Sequence, residues 1–255
     1  MRTFGGFFDN GSHVYGEVRG EAVHLLAQPF WLGLQFSGEV RSLGELAIDL
    51  PVAPSKVIAV GLNYREHIQE MQRTEIGSPL IWFKAPSSLL PHEGTIRIAF
   101  PGHKTDFETE LAVVIGARAK SVAVERALNY VFGYTIAEDS SARDLQKSEK
   151  QFGRCKSFDT YTPVGPFVYT EVDPQDLEVS LRQNDEVKQR ARTSQMIYSV
   201  AEIVAFASQS LTLLPGDLIL TGTPSGVGPI HAGDELIATV GAWPALHNRV
   251  ENADN

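Results

Sequence analysis

Short apolar segments broken by glycine, proline and asparagine outnumber helix-periodic stretches along this chain, and they do not alternate with helices in a βαβ rhythm. That pattern favours an α+β fold of mixed or antiparallel β-structure with a few helices over a doubly wound parallel sheet. Near the start, strands are expected over residues 4–9, 12–18 and 22–26, with Asn10-Gly11 as a hairpin turn. Pro51-Val52-Ala53-Pro54 punctuates the chain. The expected organisation is therefore a small N-terminal β module over residues 1–50 and a main domain over residues 51–255. Main-domain strands are expected over 56–60, 80–83, 107–115, 132–137, 217–220 and 235–240, with a hairpin around Asn184-Asp185. Asn63 is expected to cap a helix whose apolar stripe is Tyr64, Ile68 and Met71. Further helices are expected over 124–129, from Ser140-Ser141, and from the capping box Ser199/Glu202 through Ser208.

A chain of 255 residues, 43% of them hydrophobic, buries a full core without staples. With 22 Lys+Arg against 31 Asp+Glu, its net charge of −9 argues against nucleic acid or an anionic membrane as a partner. Its longest apolar runs, such as residues 111–117, fall short of the ~20 residues of a membrane helix. No apolar signal segment is visible after Met1, and the single cysteine, Cys155, reads as a structural thiol. A cytoplasmic protein is the expectation.

Chemistry concentrates at Glu108 and Glu110. They share one face of a strand that runs from polar into fully apolar, at the entry to the core. Partly buried like charges call for protons or a cation, and carboxylate oxygens suit Mg2+ or Mn2+, with Ca2+ as a third candidate. A solvated strand end is the plainer alternative. Asp139 adds a third carboxylate where an apolar run again meets a loop, although serine and aspartate also cap helices there. Arg143 and Gln146 face one side of the following helix, and a guanidinium beside a metal suits a carboxylate-bearing ligand. His67 and Glu70 lie at the border of an apolar stripe, as a general base with its orienting carboxylate or as a surface ion pair. The stretch 69–78 is polar and reads as the mobile part of a lid. Lys84 reads either as a pocket border or as a solvated strand end. The glycine-rich segment Gly222–Gly228 lacks the Gly-Lys-Ser/Thr of a P-loop and reads as a turn presenting Thr223 to a small ligand.

Five ordered segments together resemble the fumarylacetoacetate hydrolase family. They are Gly61-Leu62-Asn63-Tyr64-Arg65-Glu66-His67, Asp106-Phe107-Glu108-Thr109-Glu110-Leu111, Glu138-Asp139-Ser140-Ser141-Ala142-Arg143-Asp144-Leu145-Gln146, Lys156-Ser157-Phe158-Asp159-Thr160 and Leu220-Thr221-Gly222-Thr223-Pro224-Ser225-Gly226-Val227-Gly228. The resemblance implies a mixed β-sandwich roll, a homodimer, and magnesium or manganese on Glu108, Glu110 and Asp139. It further implies Lys156 and Thr160 near the metal, substrate contacts from Arg143, Gln146 and Thr223, and a catalytic dyad of His67 and Glu70. Glu138 departs from the family's usual asparagine before the third metal ligand. The expected activity is hydrolysis of a carbon–carbon bond in an acylpyruvate-type small 2-oxo acid, or decarboxylation or isomerisation of a 2-oxo acid such as oxaloacetate.

Overall fold

The computed structural model describes residues 1–75, 77–100 and 102–253. Twenty strands and four α-helices follow one another along it. The first five strands are β1 (Arg2–Asp9), β2 (Ser12–Arg19), β3 (Ala22–Leu26), β4 (Phe36–Ser42) and β5 (Ala47–Asp49). Next come β6 (Val57–Gly61), helix α1 (Arg65–Glu70), β7 (Leu80–Lys84), β8 (Leu89–Leu90), β9 (Thr95–Ile98), β10 (Thr105–Phe107) and β11 (Thr109–Ile115). Then follow α2 (Val124–Ala127), β12 (Val131–Glu138), β13 (Ser141–Ala142), α3 (Arg143–Ser148), β14 (Thr162–Thr170), β15 (Glu178–Gln183) and β16 (Glu186–Arg192). The chain closes with α4 (Val200–Ser210), β17 (Leu218–Leu220), β18 (Gly228–Pro229), β19 (Glu235–Val240) and β20 (Leu246–Asn252).

A twelve-stranded sheet runs β4-β3-β2-β1-β14-β12-β11-β17-β6-β7, with β5 on β1 and β8 on β14. A five-stranded sheet, β16-β15-β19-β20-β9, packs across it, and a three-stranded sheet, β13-β10-β18, lies at the site. This is the mixed, mostly β, α+β architecture that the strand-rich pattern calls for. The segment before Pro51 is continuous with the large sheet, because β1 hydrogen-bonds β14 from Arg2↔Thr170 to Phe4↔Val168.

Strand β11 shows why the roll needs two cores. Leu111, Val113 and Ile115 join a cluster with Val179, Leu236, Ala238 and the buried face of α4. Ala112 and Val114 point the other way, among Val57, Ala59, Leu218 and the aromatic plug of Phe4, Phe30 and Trp31. An unbroken apolar run is stable only where both faces of the sheet are covered, and here they are. The Ser199/Glu202 capping box forms as expected.

Three local expectations differ from the structure. Asn63 does not cap α1, whose N-cap is Tyr64 without a side-chain bond. Instead the buried Asn63 amide donates to Tyr198 O at 3.0 Å and Thr221 O at 2.7 Å and accepts from Tyr198 N at 2.8 Å, tying three segments together. The run 107–115 is not one strand, because Glu108 interrupts the β10–β11 continuity. Finally, α3 begins at Arg143 with no side-chain cap, and Ser141 Oγ bonds Asp139 O instead. Strand β14 is not evident from sequence because its prolines and glycine resemble a loop, yet it sits mid-sheet between β1 and β12.

Truncating Asn63 strands buried main-chain groups on both neighbouring segments. Asn63→Ala is expected to lower unfolding free energy by about 2–4 kcal/mol in denaturant titrations, the cost of several unsatisfied buried groups. A loss within experimental error would show that Asn63 is not a tie.

Candidate functional site

Glu108, Glu110 and Asp139 each offer an oxygen within 4.8 Å of the others, and all three are buried. Glu108 sits in the gap between β10 and β11, where side chains take over the ladder's hydrogen bonds. Its N–H donates to Glu138 Oε2 at 3.2 Å, its C=O accepts from Asp139 N at 2.9 Å, and Thr109 N donates to Gln189 Oε1 at 2.9 Å. Those bonds let Glu108 and Glu110 reach one centre although the strand is broken. Glu110 Oε2 accepts from Gly222 N at 2.6 Å. Gly222 has φ 99°, and a Cβ there would fall 2.7 Å from Asn63 Cβ, so only glycine brings its amide to the carboxylate.

Cations meet most of this buried charge. Lys156 Nζ donates to Glu108 Oε2 at 2.7 Å and Asp139 Oδ2 at 2.5 Å, and it lies 4.8 Å from the Trp82 ring centre. Arg143 Nε donates to Asp106 Oδ2 at 2.8 Å, Nη1 to Gln146 Oε1 at 2.9 Å, and Nη2 to Glu108. Lys84 is fully buried rather than solvated, on Asp139 Oδ1 at 2.5 Å and Tyr161 O at 2.9 Å.

Burial opposes ionisation of Glu108, but Arg143 and Lys156 outweigh it and hold the carboxyl well below its ordinary range. Glu110 is pushed well up, by burial first and then by the charges of Asp139 and Glu108. Glu138 is pushed up to about 8 by burial, against its bonds from Thr109 and the Glu108 amide. Lys84, Lys104, Arg143 and Lys156 pair with Asp106, Glu108 and Asp139. Among the described residues Glu110 makes no ion pair. A buried oxygen set with one uncompensated carboxylate fits a hard divalent cation.

Above the centre opens a cavity of about 290 Å³. His67, Glu108, Glu110, Arg143, Gln146, Lys156 and Thr223 line it, with an apolar wall from Leu62, Met71, Leu80, Trp82 and Phe152. His67 is buried, and its Nδ1 lies 3.0 Å from Glu70 Oε2. The other Glu70 oxygen accepts from Gly226 N at 3.0 Å, fastening α1 to the glycine-rich loop. Thr223 Oγ1 donates to Thr109 O at 3.0 Å and accepts from Gln189 Nε2 at 2.8 Å. Its hydroxyl proton is therefore committed, and what it offers a ligand is a lone pair or a methyl. Of the stretch 69–78, Met71, Arg73 and Thr74 line the cavity, and residue 76 lies outside the described residues.

The structure thus brings His67, Glu108, Glu110, Arg143, Gln146, Lys156 and Thr223 to one cavity, with Asp139 beneath and Glu70 behind His67. It does not bring Thr160 there: that residue has φ 73°, and its hydroxyl accepts from Arg97 N at 2.8 Å. Cys155 is buried with its thiol pushed up to about 11 by burial, as a structural thiol should be. Sequence reasoning missed Asp106, Glu138 and Gln189. The only local sign was Glu138 in place of an asparagine, since nothing in sequence spacing shows that a hairpin glutamine fills a gap in a distant strand.

These features define a class: a mixed β-roll with a buried carboxylate centre able to hold a divalent cation beneath a small-molecule cavity. A profile of the family "Fumarylacetoacetate (FAA) hydrolase C-terminal" matches residues 56–251, and the chain belongs to that family of enzymes. A crystal structure of 2-hydroxyhepta-2,4-diene-1,7-dioate isomerase from Mycobacterium marinum superposes with a TM-score of 0.92 at 37% identity, covering 100% of both chains. Rat (Rattus norvegicus) mitochondrial oxaloacetate tautomerase Fahd2a is 38% identical over 208 residues, 77% of this chain and 66% of that protein. Fumarylpyruvate hydrolase from Pseudomonas aeruginosa, crystallised with Mn2+ and pyruvate, gives a TM-score of 0.74 at 30% identity over 80% of this chain and 93% of that one. Among the described residues no helix is long and apolar enough to cross a membrane.

Glu110 and Glu138 bind protons more tightly folded than unfolded, so the metal-free protein loses stability as pH rises above the ordinary carboxylate range toward about 8. Thermal melts without metal are expected to shift down between about pH 6 and about pH 8.5, and Glu138→Gln, fixed neutral, to flatten that slope. Melting temperatures that climb over this interval, or a variant with the parent's slope, would contradict the assignment.

Proposed function

We propose that this enzyme uses a divalent metal to hydrolyse a carbon–carbon bond in an acylpyruvate-type β-diketo acid. One observation carries the reading: a buried histidine held by a glutamate lines the same cavity as the carboxylate centre. Glu108, Glu110 and Asp139 would hold Mg2+ or Mn2+. When bound, such an ion supplies a Lewis acid for the carboxylate and 2-oxo oxygens of the substrate. Arginine and lysine already pair with Glu108 and Asp139, so a divalent ion would give the centre an excess of positive charge, which supports an anionic substrate.

Glu70 accepts from Nδ1–H of His67, so the proton-accepting nitrogen is Nε2. His67 would take a proton from a water that attacks the distal acyl carbonyl, which contributes a factor of roughly 10²–10⁴ in such reactions. The Lys156 ammonium offers a positive charge where an oxygen of the departing pyruvate becomes anionic. Arg143 and Gln146 would orient the substrate carboxylate, with Thr223 offering its methyl to the substrate's carbon chain. The hydrocarbon wall of Leu62, Leu80, Trp82 and Phe152 suits the acyl group.

A second reading keeps these residues and drops the attacking water: a 2-oxo acid such as oxaloacetate would be tautomerised or decarboxylated. The rat relative's name, oxaloacetate tautomerase, favours it.

Both chemistries should be followed on one preparation, with acetate release from acetylpyruvate set against carbon dioxide release and enol–keto exchange of oxaloacetate. Hydrolysis of acetylpyruvate, abolished by chelator and restored by Mn2+, is the expected result. Exchange or decarboxylation alone would replace it with the second reading. His67→Ala is expected to lower kcat about 10²-fold or more while calorimetric Mn2+ binding persists. Full turnover in that variant would remove the dyad from the mechanism.

A further inference from the structure

Arg73, Arg143 and Lys156 are the arginine and lysine side chains that line the cavity. Two of them are committed: Arg143 to Asp106, Glu108 and Gln146, and Lys156 to Glu108 and Asp139. Arg73 pairs with no acidic group among the described residues. It is exposed at the mouth, on the segment that follows α1.

Its main chain is held by a specific helix ending. Gln72 N bonds Gln69 O at 3.0 Å, and Arg73 N bonds Ile68 O at 3.0 Å. Gln72 adopts the left-handed conformation, φ 52°, that this double-bonded terminus requires. The helix that carries His67 and Glu70 therefore also fixes the point from which Arg73 departs. Glu70 anchors that helix to Gly226. The guanidinium thus hangs from a backbone as well placed as the dyad's, with all of its donors open.

We propose that Arg73 receives a second carboxylate of the substrate, at the end distal from the acidic centre, and so selects 2-oxo diacids over 2-oxo acids with a neutral tail. On that wall Leu62, Leu80 and Phe152 offer hydrocarbon, and Thr74 and the Trp82 indole N–H offer at most neutral donors, so among the described residues Arg73 supplies the unpaired positive charge. A planar fork of N–H donors facing open cavity is the usual complement of a carboxylate. This rests on reading the cavity as a 2-oxo acid site.

The test compares 2-oxoglutarate with 2-oxopentanoate, which differ only in a terminal carboxylate or methyl, by calorimetric titration of the Mn2+-loaded protein. The parent is expected to bind the diacid about tenfold more tightly, a typical charge-assisted pair at a partly open site. Arg73→Gln is expected to bring the two dissociation constants within about twofold of each other, and Arg73→Lys to keep part of the preference. Equal binding of both acids by the parent, or a preference that survives in Arg73→Gln, overturns the role of Arg73 and leaves the 2-oxo acid site standing. Failure of the parent to bind either acid overturns that site and this inference with it.

Discussion

A carboxylate withdrawn from water must be met by positive charge or keep its proton, and the centre of this fold does both within one cluster. Asp139 is gripped by two ammonium groups, Lys84 from below and Lys156 from the cavity side. Arg143 spans Asp106 and Glu108, while Glu138 keeps its proton behind them. Removing any one partner leaves a buried charge uncompensated, a change that costs about 3–5 kcal/mol in comparable settings. The charged floor is therefore part of the folded core as much as part of the site. Lys84 shows this plainly: at 1% exposure and beneath Asp139, it serves the carboxylate without lining the cavity.

Geometry follows from where the large sheet stops being apolar. Strand β11 fills two cores at once through Leu111, Val113 and Ile115 on one face and Ala112 and Val114 on the other. At its N-terminal end the hydrocarbon gives way to Glu110 and then to the gap at Glu108. The rigid strand fixes Glu110, and side chains from β12 and β16 fix the gap through Glu138 and Gln189. The loop after β17 then reaches Glu110 through Gly222 and the cavity through Thr223. Protein hydrogen bonds thus hold each carboxylate of the centre in place, which is the preorganisation that electrostatic chemistry relies on.

Much of this was legible in the residues. The hairpin at Asn10-Gly11, the capping box at Ser199/Glu202 and the wholly apolar 111–115 run are local signals, and each produced the element it suggests. The carboxylate trio was legible because two acids flank one strand entry and a third follows directly on the neighbouring strand, β12. What escaped was long-range polar bonding. Asn63 looks like a helix cap in sequence, but its amide faces Tyr198 and Thr221, more than a hundred positions away. Gln189 reads as one polar residue of an exposed hairpin, yet it is fully buried against Thr109 and Thr223. Strand β14 was hidden by Pro163, Gly165 and Pro166, whose local preferences are overruled by pairing on both sides. Local propensity sees the chain in one dimension, and these contacts exist only in three.

The hydrocarbon wall of the cavity has a different origin from its floor. Leu62 and Met71 flank α1, Leu80 and Trp82 sit on the outermost strand β7, and Phe152 follows α3. None of them ion-pairs with the acidic trio, and only Trp82, through Lys156, touches its electrostatics. Trp82 apart, reshaping that wall leaves the ion pairs of the charged cluster without a changed neighbour. A scaffold divided in this way can be retooled for tails of new length or polarity by changing side chains at its rim, while the costly interior, once assembled, passes unchanged from one chemistry to the next.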